Sequence, residues 1–103
     1  DEIPAITLDE IKKLSTMKYN ERAAYIFAKY LTDFTDEEIR YCTDNAYTDK
    51  KFSTENISEI SHLFDGTYML ELWHGPTCAF KDMALQILPY LLTTSAKLTF
   101  HFF

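Results

Sequence analysis

The run Glu71-Leu-Trp-His-Gly-Pro-Thr-Cys-Ala-Phe-Lys-Asp-Met-Ala84 brings an imidazole, a thiol, an amine and a carboxylate into one short stretch. Its most reactive candidate is Lys81. A lysine amine that is neutral attacks carbonyl compounds, pyridoxal phosphate (PLP) among them, to form Schiff bases. Gly75-Pro76 bends the chain, and Thr77 can cap a helix starting just beyond the bend. That places Lys81 in the first helical turn, where the macrodipole disfavours a cation. Phe80 and Cys78 add apolar neighbours, and both effects favour the nucleophilic form. Asp82 is a poor ion-pair partner for Lys81, because adjacent helical residues point apart. Ordinary readings stand beside these. Most lysines are solvated surface cations. His74 reads equally as a turn-capping or exposed histidine, and Thr77 as a plain N-cap.

The elements that must position this run are helical first and β-like later. Thr7 with Glu10 predicts a capping box, followed by Leu8, Ile11 and Leu14 at helical spacing. Asn20 is the expected N-cap of a second helix with an apolar set of Ala23, Ile26, Phe27, Tyr30 and Leu31. Thr35 with Glu38 predicts another capping box, and Ile39, Cys42 and Ala46 its buried face. A short helical turn is expected over 54–60. The pattern then changes to strand over 62–64, an Asp65-Gly66 turn, and strand over 67–73. A last helix is expected beyond Thr77, with Met83, Ala84, Ile87, Leu88, Leu91 and Leu92 on one face. Pro89 should kink it.

The bulk numbers bound the rest. The chain has 103 residues, enough for one small domain, and 47% are apolar, including eight Phe and seven Tyr. The net charge of -6 opposes binding to phosphate backbones, so no nucleic-acid partner is expected. No apolar run approaches the ~20 residues of a membrane span, so no membrane partner is expected. No secretory leader is visible. The chain begins at Asp1 rather than Met, so its start is expected upstream. Cys42 and Cys78 are far apart, without CxxC spacing; both read as buried small hydrophobes in a reducing cytoplasm. No metal ligands are assigned. There are two glycines, Gly66 and Gly75. Phosphate sites usually use glycine-rich turns at helix N-termini, so any phosphorylated cofactor must be cradled elsewhere.

The segment Leu70–Gln86 resembles the lysine segment of the threonine synthase family, which carries a Leu-Glu-Leu-Phe-His-Gly-Pro-Thr-x-Ala-Phe-Lys-Asp run. Asp33-Phe34-Thr35 before the acidic helix, Ala46-Tyr47 after it, and Glu2-Ile3-Pro4 also resemble that family's N-terminal region. The resemblance extends from Asp1 to about Lys97. It implies that Lys81 holds PLP through a Schiff base and can then move protons on the bound amino acid. It implies cofactor-binding positions at Lys81, Phe80 and Asp82, and pocket-wall or positioning roles for His74, Gly75, Pro76 and Thr77. Family members belong to the fold-type-II PLP enzymes and convert O-phospho-L-homoserine and water to L-threonine and phosphate. The implied fold is mainly α. Residues 1–60 would be the helical N-terminal domain, and 61–103 a β-hairpin and one long helix that begin a PLP-binding α/β body. The rest of that body is the expected partner, with oligomerisation through an exposed apolar face. Where relatives often carry Gly-Asn, this chain has Pro89-Tyr90, so the ring contact made by that Asn does not transfer. The family's Ser-Gly-Asp-Thr-Gly-like phosphate loop is not in the chain, so the isolated chain is expected to be inactive. The tail Leu98–Phe103 does not resemble the family's polar turn and strand. Two other readings compete. One is another fold-type-II PLP lyase sharing the Lys81 segment. The other is a non-enzymatic helical interaction module in which Lys81 is incidental and the Met83–Leu92 face seats a partner.

Overall fold

The computed structural model describes residues 2–99, so most of the tail motif, 100–103, lies outside the described residues. The elements in order are α1 (Leu8–Leu14), α2 (Tyr19–Tyr30), α3 (Asp36–Ala46), β1 (Glu59–Phe64), β2 (Thr67–Glu71), α4 (Asp82–Leu85) and α5 (Leu88–Thr99). The fold is mainly α with one β-hairpin, as the patterning predicts.

Both predicted capping boxes form. Glu10 N–H donates to Thr7 Oγ1 at 3.2 Å and Thr7 N–H to Glu10 Oε2 at 2.7 Å. The Thr35/Glu38 pair repeats this at 3.1 and 2.9 Å. The start of α2 differs from expectation. Its N-cap is Lys18, whose N–H donates to Glu21 Oε2 at 2.9 Å. Asn20 lies inside the first turn and its Nδ2 donates to Asp44 of α3 at 2.6 Å. The earlier start brings Tyr19 edge-on to Tyr47, with ring centroids 5.0 Å apart.

The predicted turn of helix over 54–60 is absent. Ile57 takes a left-handed φ of 68° and is 2% exposed. A β-branched residue tolerates that conformation poorly, so tertiary packing of its side chain outweighs the local cost. β1 consequently begins at Glu59, before the predicted strand. It pairs with β2 antiparallel, Ile60 opposite Leu70 and His62 opposite Tyr68, with an irregularity between His62 and Phe64. Gly66 closes the hairpin with a φ of 70°. Glu59 and Glu71 lie opposite each other. Each carboxylate is matched to donors: Glu59 accepts from Thr54 and Asn56, Glu71 from Ser61 and His74.

The last helix is two helices. Gln86 and Ile87 separate α4 from α5, and Pro89 sits in the first turn of α5. A proline costs little there because first-turn N–H groups have no intrahelical acceptor. The kink expected at Pro89 is therefore a break just before it. Residues 76–81 are turns, and Thr77 caps no helix.

The core comprises Cys42, Ala46, Tyr47, Phe52, Ile57 and Ile87, with Phe27, Met83 and Leu91 packed around it. It takes residues from both sides of residue 60. Tyr47 Oη donates to the Met83 carbonyl at 2.7 Å, and Lys51 Nζ to Tyr90 Oη at 3.0 Å. Cys42 is buried as expected, whereas Cys78 is exposed. Cys78 lies in the turn ahead of α4, with a φ of 57°, away from the core.

Candidate functional site around Lys81

The chain enters the site from β2 through Leu72-Trp73-His74. His74 is anchored on two sides. Its Nε2 lies 2.7 Å from Glu71 Oε2, its Nδ1 lies 2.9 Å from Ser53 Oγ, and its carbonyl accepts the Ser53 N–H at 2.8 Å. Its ring stacks on Trp73 with centroids 4.0 Å apart. Hydrogen bonds from Ser61 and His74 hold the Glu71 carboxyl below the usual carboxylate range. The order Ser53–His74–Glu71 is that of a hydrolytic relay. However, the Ser53 N–H is committed to the His74 carbonyl and is not free as an oxyanion donor. This network ties the end of the hairpin to the 52–54 segment. Ser53 gave no signal in the sequence, because its partner lies 21 residues away.

Gly75 and Pro76 then open a tight turn in which the Cys78 N–H donates to the Gly75 carbonyl at 3.1 Å. Pro76 takes the position of that turn where its fixed φ fits. Gly75 is buried against Asp82: a Cβ on Gly75 would lie 2.3 Å from Asp82 Cβ and 2.6 Å from its Oδ2. Asp82 is completely buried. Its carboxylate accepts the Thr77 N–H at 2.9 Å and the Thr77 hydroxyl at 3.0 Å to each oxygen.

Lys81 is the N-cap of α4, with helical φ and ψ of −57° and −27°. Its side chain is exposed. The macrodipole expected to act on it is that of a single turn, because α4 has four residues. Lys81 lines an open groove of about 470 Å³ with Tyr19, Leu72, Phe80, Met83 and Leu85. Phe80, 68% exposed, forms part of the groove wall. Among the described residues, the ion pairs are Lys12–Asp9, Lys29–Glu10, Arg40–Asp44 and His74–Glu71, so the Lys81 amine is in none of them.

A larger groove of about 570 Å³ between α2 and α3 is lined by Tyr25, Lys29, Ile39 and Arg40. Its cations are already matched, Lys29 to Glu10 at 2.7 Å and Arg40 to Asp44 at 3.7 Å. The smaller groove is the better candidate, because it holds an amine with no carboxylate partner beside apolar side chains.

Residues 1–47 match the family described as threonine synthase N terminus. The chain is 40% identical over 75 residues to threonine synthase of Corynebacterium glutamicum, covering 73% of this chain and 16% of that protein. It is 31% identical over 93 residues to threonine synthase of Pseudomonas aeruginosa, covering 89% of this chain and 19% of that protein.

The chain belongs to the threonine synthase family.

It is also 32% identical over 92 residues to human threonine synthase-like 1, covering 87% of this chain and 12% of that protein. The segment therefore spans less than a quarter of the length of each of these relatives. No helix among its described residues is long and apolar enough to cross a membrane.

Proposed function

We propose that the intact protein carrying this segment is a PLP-dependent lyase that converts O-phospho-L-homoserine and water to L-threonine and phosphate, with Lys81 holding the cofactor. The observation that carries the reading is an unpaired amine in an apolar groove, within the Leu70–Gln86 run that resembles the family's lysine segment. The residues present fit the reactive end of PLP. Lys81 offers the amine, and Phe80, Leu72, Tyr19 and Met83 offer an apolar wall for a flat ring. When bound, PLP supplies an electron sink for carbanion chemistry on an amino acid.

The chain's own residues then divide the work. Lys81 Nζ holds the cofactor and, once released, takes up or returns protons at the substrate. The apolar wall gives the cofactor ring a surface to lie on beside the amine. His74, fixed by Glu71 and Ser53, shapes the loop entering the site rather than moving protons. Groups for the cofactor phosphate and the substrate phosphate come from the rest of the protein, so the isolated 103-residue chain forms no threonine. In this reading residues 1–60 belong to the helical N-terminal domain, and residues 61–103 open the cofactor-binding body of a cytoplasmic enzyme.

The test is Lys81→Ala in the full-length protein. Threonine formation from O-phosphohomoserine should fall at least about a thousandfold, with loss of the absorbance of bound PLP. Retained activity and retained cofactor would refute the role of Lys81. Activity of the parent on free serine or threonine, with none on phosphohomoserine, would move the protein to another fold-type-II lyase.

A further inference from the structure

We propose that Asp82 and Thr77 form a latch that sets the direction of the Lys81 amine, acting as positioning residues with no contact of their own to cofactor or substrate. The inference rests on the functional reading above. It replaces the cofactor contact that the family resemblance implies for Asp82.

The Asp82 carboxylate is fully buried, and all three of its side-chain hydrogen bonds come from Thr77 five residues back. A carboxylate so engaged faces the loop behind it, not the amine in front. Gly75 closes the other side, so near that no side chain fits there. The main chain of Lys81 is held from ahead as well. Its carbonyl accepts the N–H of Ala84 at 3.1 Å and of Leu85 at 2.8 Å. Lys81 thus stands between a latched turn and the first turn of α4. Successive residues of a helical turn point roughly 100° apart. With Asp82 pinned inward, its neighbour is turned outward into the groove lined by Phe80 and Leu72. Buried charged groups need such donors, and losing one leaves the carboxylate unsatisfied.

The experiment measures PLP retention by absorbance under dialysis, and capture at Lys81 by borohydride reduction and peptide mapping, in the full-length protein. Thr77→Val removes the hydroxyl donor and keeps the N–H bond. Asp82→Asn weakens both bonds. Each should lower PLP affinity about tenfold, the size of one charge-assisted hydrogen bond. Thr77→Ser, which keeps both donors, should restore affinity to within about twofold of the parent. The unfolding midpoint of the Thr77→Val apoprotein should stay within about 2 °C of the parent, separating loss of aim from loss of fold. Thr77→Val also serves where Asp82→Asn does not fold. Affinity within about twofold in Thr77→Val, or loss that is not rescued by Thr77→Ser, overturns the latch and leaves the role of Lys81 standing. A parent protein with no PLP on Lys81 overturns the functional reading, and the latch with it.

Discussion

At Gly75 the missing side chain matters more than any torsion angle. A Cβ there would meet Asp82 at 2.3 Å, and Asp82 cannot retreat while Thr77 holds its carboxylate. Gly66 is the contrasting case: nothing lies within 4 Å of its would-be Cβ, and only its φ of 70° penalises a side chain. Gly75→Ala should therefore destabilise by about 3 kcal/mol through overpacking. Gly66→Ala should cost about 1 kcal/mol through backbone strain. Urea unfolding of the two variants measures the difference, and equal costs would remove the close-packing argument. Gly75 is one of only two glycines in the sequence. The reason for it, a buried aspartate pressed against the turn, is a tertiary contact that no local pattern displays.

Among the elements, α1 is attached by polar contacts. It has no buried residue, and Leu8 and Ile11 are 76% and 51% exposed despite their helical spacing. Glu10 is the tie. It accepts from Lys29 Nζ and Tyr25 Oη, each at 2.7 Å, and these bonds with those from Thr7 hold its carboxyl at about 2. A carboxyl depressed in the folded state binds fewer protons there than in the unfolded state. Its stabilising effect is thus complete above the usual value of 4.5 and disappears as pH falls from 4.5 toward 2. The same bond raises Lys29 above the usual lysine value, so the tie also weakens in strong alkali. Amide exchange in α1 should accelerate over that acid window. Glu10→Gln should make α1 exchange fast and nearly independent of pH there, after correction for intrinsic rates. A variant that kept the acid dependence would assign it elsewhere. Glu71 is also held low, but it anchors the hairpin and not α1.

For the whole molecule, the core is small and the apolar surface left outside it is large. The radius of gyration is 15.5 Å, against about 13 Å for a compact chain of this length. Ile60, Phe64, Tyr68, Leu70, Leu88 and Leu92 are all at least 44% exposed. Phe52, at 2% exposure, joins the helical part to the segment carrying Ile87. Phe52→Ala should cost about 3–5 kcal/mol, much of the stability of a domain this size. Circular dichroism in urea should show loss of the cooperative transition. A loss of unfolding free energy of less than about 1 kcal/mol would mean that the two halves are stable without their shared core.

The sequence by itself determined what depends on near neighbours. Capping boxes at Thr7 and Thr35, the Asp65-Gly66 turn and the helix-then-hairpin order are set by groups a few residues apart, and all appear in the fold. The family was legible for the same reason, since its lysine run is contiguous. Only the tertiary structure decided what depends on distant partners. Packing put Ile57 into the core against its backbone preference and began α2 two residues early. It joined His74 to Ser53, 21 residues away. It also turned Asp82 inward and away from Lys81. A buried carboxylate goes where donors satisfy it, and which donors reach it is a property of the folded turn, not of residue order.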